Sequence, residues 1–201
     1  VLIIDTSYSN AFSLGLLTDG FLFSMSYSFN NEINVNFWKT LEKLFEISKV
    51  NKLDIDVVSV SVGPGPFTSL RNGISIARTL SQINNIPLTK FSLVEVIESM
   101  FYTDVPITLF DGRAGKLLVK KPNVKDLELV KVEDFKPLPG AKIVSIGCRK
   151  ILNQNNIDFT LNFDFLPMDA ISEVVRKKID LKEFYHYNEL LPLYYKNPGV
   201  S

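Results

Sequence analysis

A chain of 201 residues, 46% of them hydrophobic, can bury a full core, as one compact unit or as two small lobes. Its 22 basic and 22 acidic residues cancel, which excludes the global basic excess of a protein that grips nucleic acid alone and leaves only a local patch open. One cysteine, Cys148, excludes an intrachain disulfide, and one histidine, His186, excludes zinc sites built on two or three histidines. A Ser-His-Asp triad would have to use His186, which lies amid aromatics near the C-terminus. No apolar run reaches membrane-spanning length and no secretory signal is visible, so the expected compartment is the cytoplasm.

The chain opens at Val1–Asp5 "VLIID", an apolar run that predicts a buried strand. Ala11–Leu17 and Phe21–Phe29 alternate apolar with small or polar residues and predict antiparallel strands turning at Gly20. Phe37, Trp38, Leu41, Leu44, Phe45 and Ser48 share a helix face, with Asn34 as the expected N-cap. Val57–Val62 predicts the next strand, and a second helix runs from about Ser69 to Asn84, before Pro87. "SLVE" at 92–95 has the capping-box spacing and starts a short helix to about Tyr102. Strands are then expected at Pro106–Phe110, Lys116–Lys120, Leu127–Val132 and Lys142–Ile146, and helices at Cys148–Asn155 and Asp169–Lys178. "VLIID-TSYSNAF-SLGLL" and "PITLFD-GRAG-KLLVK" share a plan of strand, aspartate, small-residue turn and returning strand, an internal echo suggesting two related lobes. The expected fold is α/β with mixed sheets, of ribonuclease H-like or actin-like type. Its first lobe is expected at 1–103 and its second at 104–201, the last segment returning to the first lobe.

The loop after the fourth strand, "VGPGPFTSLRNG", carries the functional question. Gly63 and Gly65 allow a tight turn and close approach to a ligand, and Thr68 stands where an N-cap belongs. Neither the Walker pattern nor G-x-G-x-x-G is met, and Pro64 and Pro66 remove two amide donors. Ligand loop and rigid turn stand as equal readings. In the following helix Gly73, Ala77 and Ser81 recur every four residues, so a backbone can come close to that face. That backbone is either the protein's own sheet or a partner helix, with Arg71 and Arg78 at the rim. Trp38 is core anchor or interface hot spot. Asp5 and Asp111 end equivalent strands, and each either caps its own turn or helps hold a metal and phosphates in a shared cleft.

"SVGPGPFTSLRNGISIARTL" resembles the signature of the TsaB (YeaZ) family, G-P-G-S-F-T-G-L-R-I-G, at Gly63, Pro64, Gly65, Phe67, Thr68, Leu70, Arg71 and Gly73. "IIDTS", "FDGRAGKL" and "LPLYYKNP" resemble its opening, its middle turn and its close, and 122–190 is the weakest part. Pro66, Ser69 and Asn72 depart from the signature, Lys116 replaces an acid, and "INV" at 33–35 stands where the family has His-Ser-Glu. The resemblance implies an actin-like two-lobe fold and a non-catalytic subunit needed for N6-threonylcarbamoyladenosine in tRNAs that read codons beginning with A. It implies pairing through the first two helices with a TsaD-like catalytic subunit, which carries the metal, alongside a TsaE-like ATPase. The chain alone would then hold no cofactor, with ATP, ADP or metal only at the interface of the complex, and would meet tRNA through that complex. The expected partner surface is Phe37, Trp38, Leu41, Arg71, Gly73, Ile74, Ala77, Arg78 and Ser81. The alternative is a nucleotide-binding actin-like enzyme using Asp5, Gly63, Gly65, Thr68 and Asp111. An exposed apolar helix face would also make the isolated chain a homodimer through its two first-lobe helices.

Overall fold

A computed structural model describes residues 1–28, 33–137 and 139–193, and of 33–35 the backbone alone. The "INV" side chains and Tyr194–Pro198 of the closing motif lie outside the described residues. β1 (Leu2–Tyr8), β2 (Ala11–Leu17) and β3 (Leu22–Ser28) form an antiparallel meander. α1 (Ile33–Ser48) then crosses over, and a helical crossover is what allows a parallel return. β4 (Val58–Ser61) accordingly runs parallel to β1, and α2 (Phe67–Asn84) carries the chain to β5 (Leu88–Phe91), parallel to β4. α3 (Leu93–Met100) closes this half.

The second half repeats the plan. β6 (Ile107–Arg113), β7 (Lys116–Lys120) and β8 (Glu128–Lys131) form a meander, and β9 (Ile143–Ile146) returns parallel to β6. α4 (Arg149–Gln154) leads to β10 (Leu161–Phe163), parallel to β9, and α5 (Met168–Asp180) follows. The sheet orders are β3-β2-β1-β4-β5 and β8-β7-β6-β9-β10, the same arrangement twice. The echo around Asp5 and Asp111 is therefore a repeat of architecture, and the fold is the expected α/β pair of mixed sheets.

The side-chain faces set the layers. Leu2 and Ile4 of β1 join Phe37, Leu41, Ile74 and Ala77 of α1 and α2 in one core. Ile3, one residue out of phase, joins Val96 and Ile97 of α3, Ile171 and Val175 of α5, and Phe110 and Ile146 of the second sheet. A third core places Leu109, Leu117 and Ile143 beside Leu152 of α4. The central strand β1 is buried along its whole length, as an apolar run covered on both faces must be.

Some local expectations change. Asn34 lies inside α1, and Thr68 lies in the first turn of α2, whose N-cap is Pro66 without a side-chain cap bond. β5 and β10 are strands that the pattern did not reveal. They are only four and three residues long, and "LTKF" and "LNF" carry polar residues in that short span. The capping box forms as expected: the Ser92 amide donates to Glu95 Oε2 at 2.7 Å, and the Glu95 amide to Ser92 Oγ at 3.2 Å.

After β10 the chain leaves the second sheet. α5 packs on α3, β5, β2 and β3. The next segment runs beside β5, with the Tyr185 amide donating to Leu88 O at 2.8 Å and the Leu193 amide to Val62 O at 3.0 Å. Leu190 is fully buried in the core beneath α1 and α2. Lys178 of α5 binds Glu95 of α3 at 2.8 Å and Glu183 at 3.2 Å. Burial alone would lower its pKa, but the two carboxylates more than offset that and hold it above the ordinary lysine value. Lys178→Met should therefore cost about 2 kcal/mol, read as a lower urea midpoint with unchanged slope.

Candidate functional site

The ends of β1 and β4 meet in a buried polar knot. Asp5 is fully buried, and its Oδ1 accepts the Ser7 amide at 3.0 Å. Ser7 Oγ hydrogen-bonds Ser61 Oγ, which also accepts the Gly63 amide at 3.3 Å. Tyr8 OH accepts the Leu166 amide at 2.9 Å, which ties this knot to the approach of α5. Asp111 repeats the Asp5 geometry, with Oδ1 accepting the Arg113 amide at 2.8 Å. Each aspartate thus closes the turn that follows its own strand.

Burial pushes the Asp5 carboxyl above its ordinary value, and the nearby hydroxyls of Ser7, Tyr8 and Ser61 offset this only in part. Asp5 therefore keeps its proton to higher pH in the folded chain than in the unfolded one. Its contribution to stability is full below the ordinary carboxylate value of 3.8 and fades as pH rises through the raised folded value. Asparagine has the same shape and no charge to lose. Asp5→Asn should gain on the parent as pH rises from about 4 to about 8, seen as a melting-temperature difference that shifts in its favour.

The glycine loop is folded against this knot. Gly63 has φ +112°, a conformation that suits glycine, and its carbonyl accepts the Leu93 amide at 2.9 Å. A Cβ on Gly65 would stand 2.4 Å from the Ser7 carbonyl oxygen and 2.8 Å from Ser7 Cα. The close approach that glycine permits here is to the protein's own backbone. Beside the loop, Tyr8, Gly65, Phe110, Asp111 and Gly147 among others line a cavity of about 30 Å³ between the two lobes. That is room for about one or two waters, whereas ligand pockets run to several hundred Å³. Asp111 lines this cavity, and Asp5 does not. In the second lobe only Gly147 and Cys148 separate β9 from the short α4, where the first lobe has its long loop. Cys148 is buried, which pushes its thiol up to about 12.

Thr68 lies elsewhere, in an open hollow of about 430 Å³ at the start of α2 with Asn10, Phe67, Ser69, Asn72 and Arg113. Arg113 reaches it from the second lobe, donating to Ser9 Oγ at 3.0 Å. The internal echo marks both as parts of equivalent strand–turn units, while their meeting depends on how the two halves are placed.

The small-residue stripe faces inward. Gly73, Ile74, Ala77 and Ser81 are buried, and a Cβ on Gly73 would stand 2.2 Å from Thr6 Oγ1 of β1. Phe37 and Leu41 are core residues too. These six pack in the chain's own core, and of them Leu41 also reaches the floor of a groove open to the outside. Much of the apolar face of the two helices packs inside the protein, while Trp38, Ile47 and Ile83 on those helices are exposed. What stays outside is narrower. Trp38 is 47% exposed and stands edge-on to Phe37. Arg71 is exposed, its guanidinium 5.0 Å above the Phe67 ring centroid, and Arg78 is half-buried. Trp38 borders a groove of about 220 Å³ between α1 and α2, floored by Leu41, Phe45, Leu80 and Ile86, with Leu53, 82% exposed, at its edge. Leu53 and Leu80 were missed because a groove needs the helices' relative placement, which periodicity does not contain.

Among the described residues no group of three or more His, Cys, Asp or Glu is placed to hold a metal. No described helix is long and apolar enough to cross a membrane.

Residues 31–133 match the family model of TsaD, the tRNA N6-adenosine threonylcarbamoyltransferase. The chain is 29% identical over 97 residues to the tRNA threonylcarbamoyladenosine biosynthesis protein TsaB of Buchnera aphidicola, covering 48% of this chain and 46% of that protein. It is 32% identical over 92 residues to the tRNA N6-adenosine threonylcarbamoyltransferase of Persephonella marina, covering 42% and 27%. Each match thus takes in less than half of the curated relative. YeaZ from Pseudomonas aeruginosa superposes with a TM-score of 0.74 at 17% identity, over 96% of this chain and 98% of that one. A second Pseudomonas aeruginosa structure, described as similar to peptidase YEAZ, gives 0.75 at 17% identity over 97% and 98%. The solved structures support the fold, and the sequence matches carry the family. The chain belongs to the family of the tRNA N6-adenosine threonylcarbamoyltransferase model and, within it, to the TsaB (YeaZ) group.

Proposed function

We propose that this chain is a non-catalytic subunit needed to form N6-threonylcarbamoyladenosine in tRNAs that read codons beginning with A, and that it acts by docking onto a TsaD-like catalytic subunit. The observation that carries the non-catalytic part is the seat of Gly65 on the Ser7 backbone. It fills with the protein's own chain the place where an actin-like ATPase would hold phosphates. A nucleotide-dependent enzyme working through Asp5, the 63–68 loop and Asp111 needs room beside both aspartates; the cavity at Asp111 is about 30 Å³, and the larger hollow at Thr68 is lined by neither aspartate. The docking surface is the α1–α2 groove, where Trp38 supplies a half-exposed aromatic anchor beside an apolar floor, with Arg71 and Arg78 on α2. In this reading a TsaE-like ATPase joins the complex, and tRNA is met through it.

The test is to delete the gene and measure threonylcarbamoyladenosine in bulk tRNA, then restore it with the chain. Loss on deletion and return on complementation are expected, and an unmodified level in the deletion strain would overturn the role. Calorimetry of the isolated chain with ATP and magnesium should give no heat, and micromolar binding there would revive the enzyme reading.

A further inference from the structure

Among the described residues one basic side chain is buried, that of Lys120 at the end of β7. Its ammonium lies 2.7 Å from the Glu98 carboxylate of α3, with 7% of the side chain exposed. An ammonium has three donors, and burial makes an unfilled one costly. Lys178 shows the usual answer: it too is held against α3, and it has two carboxylates, Glu95 and Glu183. Among the described ion pairs Lys120 has Glu98 alone.

What Lys120 has in place of a second carboxylate is space. It lines an open hollow of about 550 Å³ between the two halves of the chain. One wall is α3 of the first half, where Val94 and Glu98 stand one turn apart and Tyr102 follows a turn further on. The other wall is the second half, with Lys120 on β7 and Val124 and Lys125 in the turn that leads to β8. Val105, in the connection between the halves, lines it too. The size is that of a small-molecule site, and a boundary between lobes is where such sites are common.

The chemistry of the lining selects the ligand. An ammonium and a carboxylate stand side by side, so a simple anion would meet Glu98 and a simple cation would meet Lys120. A ligand carrying both charges close together gives each group its opposite. It can do so without breaking the pair, because Lys120 keeps two donors and Glu98 a second oxygen beyond their mutual bond. Glu98 is half-exposed, and Lys125 at the rim adds a second cation for a carboxylate. The rest of the lining is largely apolar: three valines and the Tyr102 ring, which is 81% exposed and would gain cover from an apolar group.

We propose that this hollow binds an α-amino acid with an apolar side chain. Its carboxylate sits on Lys120, its ammonium on Glu98, and its side chain against the valines and Tyr102. Because the walls come from both halves, the bound ligand ties them together and stabilises the whole chain. The hollow shares no residue with the α1–α2 groove, so the site is independent of the docking proposed above.

Calorimetry and thermal melting of the full chain with L-phenylalanine and L-leucine test this. At least one should bind with a dissociation constant of about 1 mM or tighter and raise the melting temperature as its concentration rises. N-acetyl-L-phenylalanine lacks the ammonium and L-phenylalaninamide lacks the carboxylate, and each should bind about tenfold more weakly or worse. Glu98→Gln keeps the shape of the side chain and removes its charge. It should weaken the amino acid about tenfold and leave the N-acetyl derivative no worse, a selectivity that a merely structural role would not give. Backbone amide resonances of Val94–Glu98 and Lys120–Lys125 should shift on titration. No heat and no melting shift with either amino acid at about 20 mM, blocked derivatives that bind as well as the parent, or resonance shifts confined to other parts of the chain would overturn the proposal. Where Glu98→Gln does not fold, the two blocked derivatives on the wild-type chain decide.

Discussion

Gly73→Ala should destabilise the isolated chain by about 2 kcal/mol and lower its melting temperature by roughly 4–8 °C. The sign is the informative part. On an open helix face the same change stabilises by about 1 kcal/mol, because glycine is a poor helix former. Here the added Cβ would stand 2.2 Å from Thr6 Oγ1 and 3.0 Å from Thr6 Cγ2, so either α2 lifts off β1 or Thr6 is displaced. Relief can be engineered. The Thr6 hydroxyl is buried without a hydrogen-bond partner, so its removal breaks no bond. Thr6→Ala takes away both clashing atoms, and the double variant should be more stable than Gly73→Ala alone, with a coupling of about 1–2 kcal/mol in a thermodynamic cycle. Gly65→Ala offers no such rescue, since the neighbour of its new Cβ is the Ser7 backbone. A rise in melting temperature for Gly73→Ala would mean that α2 does not press on β1.

Gly73 also marks the limit of what the residues alone reveal. Small residues every four positions dictate that a backbone comes close, and one does. Whose backbone it is depends on which way the helix rolls, and a stripe of small residues is the same for an own strand and a foreign helix. The signature around Gly63–Gly73 named the group correctly, because most of its glycines answer to steric demands inside the fold. Gly63 takes a positive φ, Gly65 meets Ser7, and Gly73 meets Thr6. Such a motif can persist while the cleft beside it closes. The long elements were legible because β1, α1 and α2 repeat their apolar pattern over many residues. β5 was not, since Lys90 in a four-residue strand is accommodated by Tyr185, 95 positions further along, whose ring lies 4.1 Å from its Nζ. The groove floor at Leu80 and Ile86 and the meeting of Arg113 with Ser9 depend likewise on long-range placement.

Phe37 and Trp38, adjacent on α1, should separate folding from docking. Phe37 is 1% exposed and packs on Phe12, so Phe37→Ala should cost about 4 kcal/mol of stability. Trp38 keeps 47% of its surface free, and its described ring contact is the edge-on one with Phe37, so Trp38→Ala should cost the isolated chain only about 1 kcal/mol. The order reverses when a TsaD-like subunit is titrated in. An aromatic at the mouth of an apolar groove is the kind of residue whose truncation costs about 2 kcal/mol or more at an interface, or roughly thirtyfold in affinity. Trp38→Ala should show that loss while remaining folded. Phe37→Ala should bind nearly normally once the titration is corrected for its unfolded fraction. Leu53→Glu, which puts a charge at the groove edge, should weaken binding with little effect on melting, as befits a residue 82% exposed. Unchanged affinity in both Trp38→Ala and Leu53→Glu would move the docking surface off the groove. The hollow at the start of α2, lined by Thr68, Asn72 and Arg113 of the second lobe, would then be the place to look.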